Sequence, residues 1–253
     1  MKAHLPNFFL VKQAKDLVRL GRDYDGGYLV SQSDIEKSEL LIGLGINDDW
    51  SFEEDFLKRK KIPIYAYDAS VSGKHFLKKI IKSSFRIDSL KLFFHWLKVL
   101  VKYKIFFSQP QVHHIQKFVG LNSNNEHHCT FENVINETDS KNIFLKIDIE
   151  GSEYRFLNDI IANEDRISGM VIELHDCDIH LKKIKKFINQ FRLNLVHVHA
   201  NNFSPIRLDD GLPLVLELTF SKHAEFLDNY SLPHKLDMPN NSNFLDYKLI
   251  VSK

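Results

Sequence analysis

Seven short apolar runs divide the chain, and most end in polar or turn-forming residues. Glu39–Gly45, Ile62–Ser70, Asn142–Ile147 and Gly169–Asp176 each hold a nearly continuous apolar stretch rich in Ile, Leu, Val, Phe or Tyr. Such runs predict strands buried on both faces, as in a parallel sheet. Gln111–Leu121 predicts a third strand, with Asn122–His128 as a polar loop after it. Leu195–Asn202 alternates apolar and polar residues, which predicts a half-buried strand, and Val215–Phe220 is the last strong strand. Helical spacing fills the gaps. A helix capped by Asp49 or Ser51 follows the first run, and Phe131–Ile135 predicts a short helix. Tyr154, Leu157, Ile160 and Ile161 form one helical stripe, and Ile184, Phe187, Ile188 and Phe191 form another within Lys182–Phe191. Strands alternating with helices predict an α/β, doubly wound (Rossmann-like) sheet of seven strands over a single domain, residues 1–253.

Three segments stand outside this alternation. Leu17–Val30 carries Asp25-Gly26 between apolar runs and predicts a β-hairpin, so residues 1–38 read as an N-terminal hairpin or flap. Residues 73–110 interrupt the sheet pattern. Leu90, Phe93, Phe94, Leu97, Leu100 and Val101 repeat there as an amphipathic helix, among Lys78, Lys79, Lys82, Lys91, Lys98, Lys102 and Lys104. This helical insertion is expected to be a packed lid or a homodimer contact rather than a membrane surface. Leu232–Asn241 is a Pro/Asn loop, and Phe244–Val251 is expected to add an edge strand or pack as a tail.

Composition changes this picture little. The chain has 253 residues, 43% of them hydrophobic and 26% charged, which suits a folded core. A net charge of +1 offers no argument for nucleic acid as a partner. Cys129 and Cys177, the only cysteines, make neither a disulfide framework nor a zinc site and fit a reducing cytoplasm. Met1–Leu20 lacks a signal-peptide apolar core, and no run approaches the ~20 residues of a membrane span.

The chemistry gathers at the strand ends, where open α/β sheets bind their ligands. The first strand ends in Gly43-Leu-Gly45-Ile-Asn47-Asp48-Asp49. The glycines allow a tight turn and close backbone approach. Asp48 replaces the third glycine of a dinucleotide fingerprint and, with Asp49, would repel a pyrophosphate, whereas a cationic ligand would be welcome. Asp68 ends the second strand, 23 residues after Gly45, a spacing suited to an acid that grips ribose hydroxyls. The central strand ends in Lys146-Ile-Asp148-Ile-Glu150-Gly151-Ser-Glu153, and the fifth in Glu173-Leu-His175-Asp176. Glu153 reads as a carboxylate favoured by a helix N-terminus. His175 and His199 are candidate bases because imidazole titrates near neutrality. Asp148 and Glu173, with His175 or Glu150, are candidate ligands for a divalent cation such as Mg2+, which would hold an acceptor diol.

Lys146–Glu153 resembles the Lys-x-Asp-x-Glu-Gly-x-Glu signature of FkbM-type S-adenosylmethionine-dependent methyltransferases, and Arg19–Tyr28 looks like their Arg-x-Gly-x-x-x-Asp-Gly-Gly-Tyr run. The resemblance spans roughly Leu17–Phe220. It implies a class I methyltransferase sheet and S-adenosylmethionine as cofactor. It implies cofactor contacts from Tyr24, Gly27, Gly43, Gly45, Asn47, Asp48, Asp68, Ala69, Asp148 and Glu150, with His175, His199 and Asp148 as catalytic candidates. The implied reaction is O-methylation of a small polar acceptor, a sugar or phosphorylated precursor in surface-polysaccharide or natural-product biosynthesis. The alternative is a non-catalytic module of the same fold that docks through residues 73–110.

Overall fold

The structure, a computed structural model, describes residues 2–84, 90–120, 125–229 and 231–252. Seven strands form the main sheet: β1 (Leu40–Leu44), β2 (Ile64–Tyr67), β3 (Val112–Ile115), β4 (Ile143–Ile147), β5 (Ile167–Leu174), β6 (Asn194–Ala200) and β7 (Leu216–Ser221). Their spatial order is β6-β7-β5-β4-β1-β2-β3. All pairs are parallel except those of β7, which runs antiparallel to both β5 and β6. The expected doubly wound order with a closing antiparallel hairpin is therefore the one observed. The chain builds β1, β2 and β3 outward, then returns to lay β4 on the other side of β1. That reversal opens a crevice above the carboxyl ends of β1 and β4, where such sheets take ligands.

Alternate strand residues feed two cores. Leu40, Ile42, Leu44, Ile143, Leu145 and Ile147 face helices α5 (Phe131–Asn136), α6 (Leu157–Ala162) and α7 (Cys177–Gln190). Leu41, Ile64, Phe144 and Val171 face α1 (Gln32–Lys37), α2 (Ser51–Arg59), α3 (Gly73–Ser84) and α4 (Leu90–Phe107). This is why the strands read as continuous apolar runs: each buries both faces, at about 1.5–3 kcal/mol per large side chain.

Several expectations are corrected. The hairpin exists, Leu17–Leu20 against Tyr28–Ser31, but a longer loop over residues 21–27 replaces a tight Asp25-Gly26 turn. Its second strand packs against the main sheet. Tyr28, Leu29 and Val30 are buried, and the Thr219 hydroxyl donates to the Leu29 carbonyl at 2.6 Å. Trp50 takes the N-cap position of α2, while Asp49 Oδ1 accepts from the Ser51 N–H at 3.1 Å. Strand three ends at Ile115; Phe118–Val119 leaves the sheet to pair with His128–Cys129. Part of the Asn122–His128 loop lies outside the described residues. After β4 the helical stripe is broken into a 3-10 turn, Glu153–Arg155, and the short α6, because Glu153 is drawn into the strand-end turn. β6 is buried on both faces, since His197 and His199 are neutralised within the protein rather than by water. The tail strand Lys248–Val251 pairs in parallel with Lys2–Leu5, away from the main sheet.

The insertion is also turned from its expected face. Val99, Leu100 and Phe106 are buried and Phe93, Trp96, Tyr103 and Phe107 pack partly against the core, so α4 docks by that face. Of the predicted stripe, Leu90, Phe94, Leu97 and Val101 are exposed. The aromatic residues won: Trp50 packs edge-on to Tyr103 and Phe107, and Phe76 stacks on Trp96. Among the described residues no helix is long and apolar enough to cross a membrane.

Candidate functional site

The ends of β1, β2, β4 and β5 surround a cavity of about 880 Å³. Three non-glycine residues beside these ends hold the left-handed conformation: Asn47 (φ 41°), Glu150 (φ 54°) and Asp176 (φ 48°). Such backbone costs about 1–3 kcal/mol per residue and persists only where surrounding structure enforces it.

The turn after β1 is enforced by Gly45 and Asp68. Gly45 has φ 82°, and a Cβ there would lie 1.8 Å from the Asp148 carbonyl oxygen. Only glycine lets the β1 and β4 turns pass so closely. Asp68 Oδ2 accepts from the Ile46 and Asn47 N–H groups at 3.0 and 2.9 Å. Its Oδ1 accepts from the N–H and hydroxyl of Ser70 at 2.7 and 2.6 Å. The four acceptor positions of this carboxylate are thus filled. Asp68 shapes the turn, and only its Ser70 side is free to exchange partners. Asp49 Oδ2 pairs with Arg22 Nε at 3.1 Å, so carboxylates, not an open anion site, meet the start of α2.

A buried charge cluster lies beneath the turn. Lys146 sits mid-strand in β4, donates to the Gly45 carbonyl at 2.5 Å and lies 3.6 Å from Asp148 Oδ2. Burial alone would lower its pKa, but Asp148, Glu53 and Glu173 outweigh that and raise it, so the ammonium keeps its charge. Glu53 is buried and burial raises its pKa to about 7. A Cβ on Gly43 would meet Glu53 Oε1 at 2.6 Å. Gly43 therefore makes room for a buried carboxyl and does not line the cavity.

Tyr28 couples the two acidic strand ends. Its hydroxyl donates to Glu173 Oε2 at 2.9 Å and reaches Asp148 Oδ2 at 3.2 Å. Asn201 donates to Glu173 Oε1 at 2.8 Å. Glu173 is raised to about 8, by burial first and then by Asp148 and Glu217. Glu153 is fully buried; its Oε1 accepts from the Gly151 N–H at 3.1 Å and lies 3.0 Å from His175 Nδ1. His175 Nε2 then faces Glu150 Oε2 at 3.4 Å and Glu173 Oε1 at 3.9 Å. Burial would lower the His175 pKa, but Glu153, Glu173 and Glu150 outweigh it and raise it to about 9. At neutral pH it carries its proton, which removes it as a ready base. Asp148, Glu150 and Glu173 all present carboxylates at the cavity wall beside this cluster.

Oxygen and nitrogen atoms of Asp148, Glu150 and His175 lie within 4.8 Å of one another. Two carboxylates and an imidazole whose other nitrogen rests on a buried carboxylate suit a divalent cation once the cation displaces the His175 proton. Glu150 replaces Glu173 in the expected ligand set, because Tyr28 and Asn201 already occupy Glu173.

Of the expected site residues, Gly45, Asn47, Asp48, Asp68, Asp148, Glu150, Glu173 and His175 line one cavity. Gly43, Ala69, Tyr24 and Gly27 do not. The hairpin loop reaches the cavity through Arg22, Asp25 and Gly26 instead. His199 is also removed. It is buried between Glu217 Oε2, 3.0 Å from Nδ1, and Asp246 Oδ2, 3.1 Å from Nε2, so neither nitrogen is free for an acceptor. Tyr28 and Asn201 escape sequence reasoning, since each sits in a strand or loop whose partners are more than 25 residues away. The tyrosine's place in the Arg19–Tyr28 run was the one available signal.

No family model and no curated protein matches the chain. Among solved structures, an rRNA methylase from Streptococcus thermophilus is 10% identical over 75% of this chain and 92% of its own, with a TM-score of 0.40. A precorrin-6y C5,15-methyltransferase from Geobacter metallireducens is 12% identical over 75% of this chain and 84% of its own, with a TM-score of 0.39. TYW2 from M. jannaschii, in complex with AdoMet, is 12% identical over 85% of this chain and 89% of its own, with a TM-score of 0.35. TM-scores of this size carry neither a fold nor a reaction over to this chain; the strand order above describes the fold by itself.

Proposed function

We propose that the protein is an S-adenosylmethionine-dependent methyltransferase of the class I kind, acting on a hydroxyl of a small polar acceptor, a sugar or a glycan precursor. The observation that carries this reading is the cavity at the strand-order reversal, ringed by Asp48, Asp68, Asp148, Glu150 and Glu173. An acid-rich crevice at that place suits a ligand with a sulfonium and an ammonium group and repels the pyrophosphate of a nicotinamide cofactor. RNA is disfavoured as the acceptor by the +1 net charge and by the carboxylates that ring the cavity. Arg22, Lys117 and Arg155 at the cavity wall leave room for an acceptor bearing phosphate away from the reacting hydroxyl. The FkbM resemblance rests on the Lys146–Glu153 and Arg19–Tyr28 motifs.

S-adenosylmethionine, when bound, supplies an electrophilic methyl group. The chain's own residues position and deprotonate the acceptor. Asp148, at the cavity wall, is placed to take the proton of the acceptor hydroxyl as the methyl group is transferred. Lys146 Nζ, 3.6 Å from Asp148 Oδ2, fixes the place of that carboxylate at the cavity wall. The Tyr28 hydroxyl, 2.9 Å from Glu173 Oε2 and 3.2 Å from Asp148 Oδ2, holds the two carboxyl groups in fixed relation. With a divalent cation bound, Asp148, Glu150 and His175 would hold it, and the cation's lowering of the acceptor hydroxyl pKa would stand in place of Asp148 acting as the base.

Calorimetric titration with S-adenosylhomocysteine, with and without Mg2+ and with NAD as control, tests the reading. Binding of the thioether but not of NAD is expected. No heat with the thioether under either condition would remove the enzyme reading. If it binds, Asp148→Asn should lower methyl transfer by roughly 10²–10⁴-fold while leaving that binding within a few fold.

A further inference from the structure

We propose that the α3–α4 hairpin docks the protein on the surface of an anionic phospholipid bilayer. The inference is independent of the cavity and of the reaction assigned to it. It starts from the face that α4 does not use for packing. Leu90, Phe94, Leu97, Val101 and Ile105 recur at i, i+4, i+7, i+11 and i+15, and so form one stripe. They are exposed by 70, 57, 38, 48 and 65%. The stripe runs ~22 Å at the rise of an α-helix. On α3, Leu77 and Ile81, one turn apart, are also exposed. Soluble chains scatter single apolar residues over their surfaces, but a continuous apolar stripe marks a contact.

Charge selects the occupant. The two helices carry Lys74, Lys78, Lys79, Lys82, Lys91, Lys98, Lys102 and Lys104 and not one Asp or Glu. The whole chain has a net charge of only +1, so the hairpin is the positive pole of a molecule whose remainder is net acidic. On a helical wheel Lys91, Lys98 and Lys102 fall along one border of the α4 stripe and Lys104 along the other. An apolar stripe bordered by lysines matches a surface that is apolar below and anionic above, which is the headgroup boundary of an acidic membrane. A second copy of this chain fits poorly, because apposing α3 and α4 on their copies would bring two lysine sets together with no carboxylate on any of the four helices. A polynucleotide would use the lysines but leave the aliphatic stripe without purpose.

The inner face shows that the hairpin is a rigid platform and not a loose tail. Phe76, Val99, Leu100 and Phe106 are buried, and Lys79 Nζ lies 4.0 Å from the centre of the Trp96 ring. The Tyr103 hydroxyl lies 2.6 Å from His114 Nδ1, tying α4 to β3. A docked hairpin would therefore hold the whole sheet at the bilayer.

Co-sedimentation with vesicles decides the matter, using the full chain. Vesicles of phosphatidylcholine with 30 mole per cent phosphatidylglycerol, roughly an anionic bacterial-type surface, are compared with phosphatidylcholine alone. The expected result is binding at least ~10-fold tighter to the anionic vesicles, weakening as salt rises. Two variants divide the contributions, with far-UV circular dichroism and melting used to show that each is folded. Phe94→Ser/Val101→Ser should lose vesicle binding because the apolar stripe is interrupted. Lys91→Gln/Lys98→Gln/Lys102→Gln should lose the preference for phosphatidylglycerol. No binding to anionic vesicles at low salt would overturn the proposal. So would binding that survives Phe94→Ser/Val101→Ser and is matched by polyuridylate, which would make the face a polynucleotide site. A wild-type dimer that becomes monomeric in Phe94→Ser/Val101→Ser would assign the stripe to a second copy and equally overturn it.

Discussion

At the residue scale, buried acids set the electrostatics of this protein. Asp34 on α1 is fully buried, and its Oδ1 accepts from the His223 N–H at 2.9 Å and the Lys222 N–H at 3.3 Å. Burial nevertheless raises its pKa from 3.8 to about 7. A carboxyl raised in the fold costs nothing where it is protonated in both states and costs most where it is ionised in both. Stability attributable to Asp34 should therefore fall as pH rises from about 4 to about 7. Asp34→Asn keeps an acceptor and removes the charge. We expect it to stabilise the protein at pH 8 by on the order of a few kcal/mol, with the gain vanishing toward pH 4. Urea melts of both proteins at the two pH values check this; an equal effect at both would contradict the buried-charge account. In the site, Tyr28→Phe leaves Glu173 Oε2 and Asp148 Oδ2 without their shared donor. It should cost about 1–3 kcal/mol in the same assay.

The element scale is governed by turns. Most strands here are legible as apolar runs, but the site is made where the runs stop. Gly45 illustrates it. An alanine there would place Cβ against the Asp148 carbonyl and would strain a backbone at φ 82°. Gly45→Ala should destabilise the protein by roughly 2–5 kcal/mol and distort both the β1 and β4 turns. Loss of thioether binding together with a lowered melting temperature is the expected pair of readouts. An unchanged melt would mean that the two turns do not meet as described. The element that departs most from its pattern is α4. Its periodicity predicts a buried stripe through Phe94 and Val101, yet the larger rings of Trp96, Tyr103 and Phe107 hold the inner face. Two apolar faces competed, and the one with more aromatic surface to bury packed inward.

At the scale of the whole molecule, the C-terminal segment locks the sheet edge. Asp246 Oδ2 lies 3.1 Å from His199 Nε2, and Asn240 donates to Glu217 Oε1 at 2.7 Å and to Asp25 Oδ1 at 3.4 Å. His197 Nε2 lies 2.9 Å from Asp237 Oδ1. These contacts run from the β6–β7 hairpin to the loop beside the cavity. Burial would lower the His199 pKa, but Glu217 and Asp246 prevail and raise it well above its ordinary value. Asp246→Ala should cost about 1–3 kcal/mol, or a melting temperature lower by several degrees. If the melt does not move, the C-terminal segment is not a lock.

The sequence by itself determined the sheet and the places where chemistry collects. Runs such as Leu40–Leu44 and Ile143–Ile147 are short, apolar and end in Gly, Asp or Glu, so strand identity and strand-end acids follow from local pattern alone. That is why Asp48, Asp68, Asp148, Glu150, Glu173 and His175 stand out in the sequence as strand-end groups, and they line one cavity. Tertiary structure alone decided which partner each of them takes. Asp68 is occupied by the β1 turn, His175 is charged by three carboxylates, and His199 is enclosed at the far edge by Glu217 and Asp246. Partners at 20 or more residues' separation leave no periodic trace. Pattern records which side of an element faces the core; it does not record which buried charge finds which, or which of two apolar faces packs first.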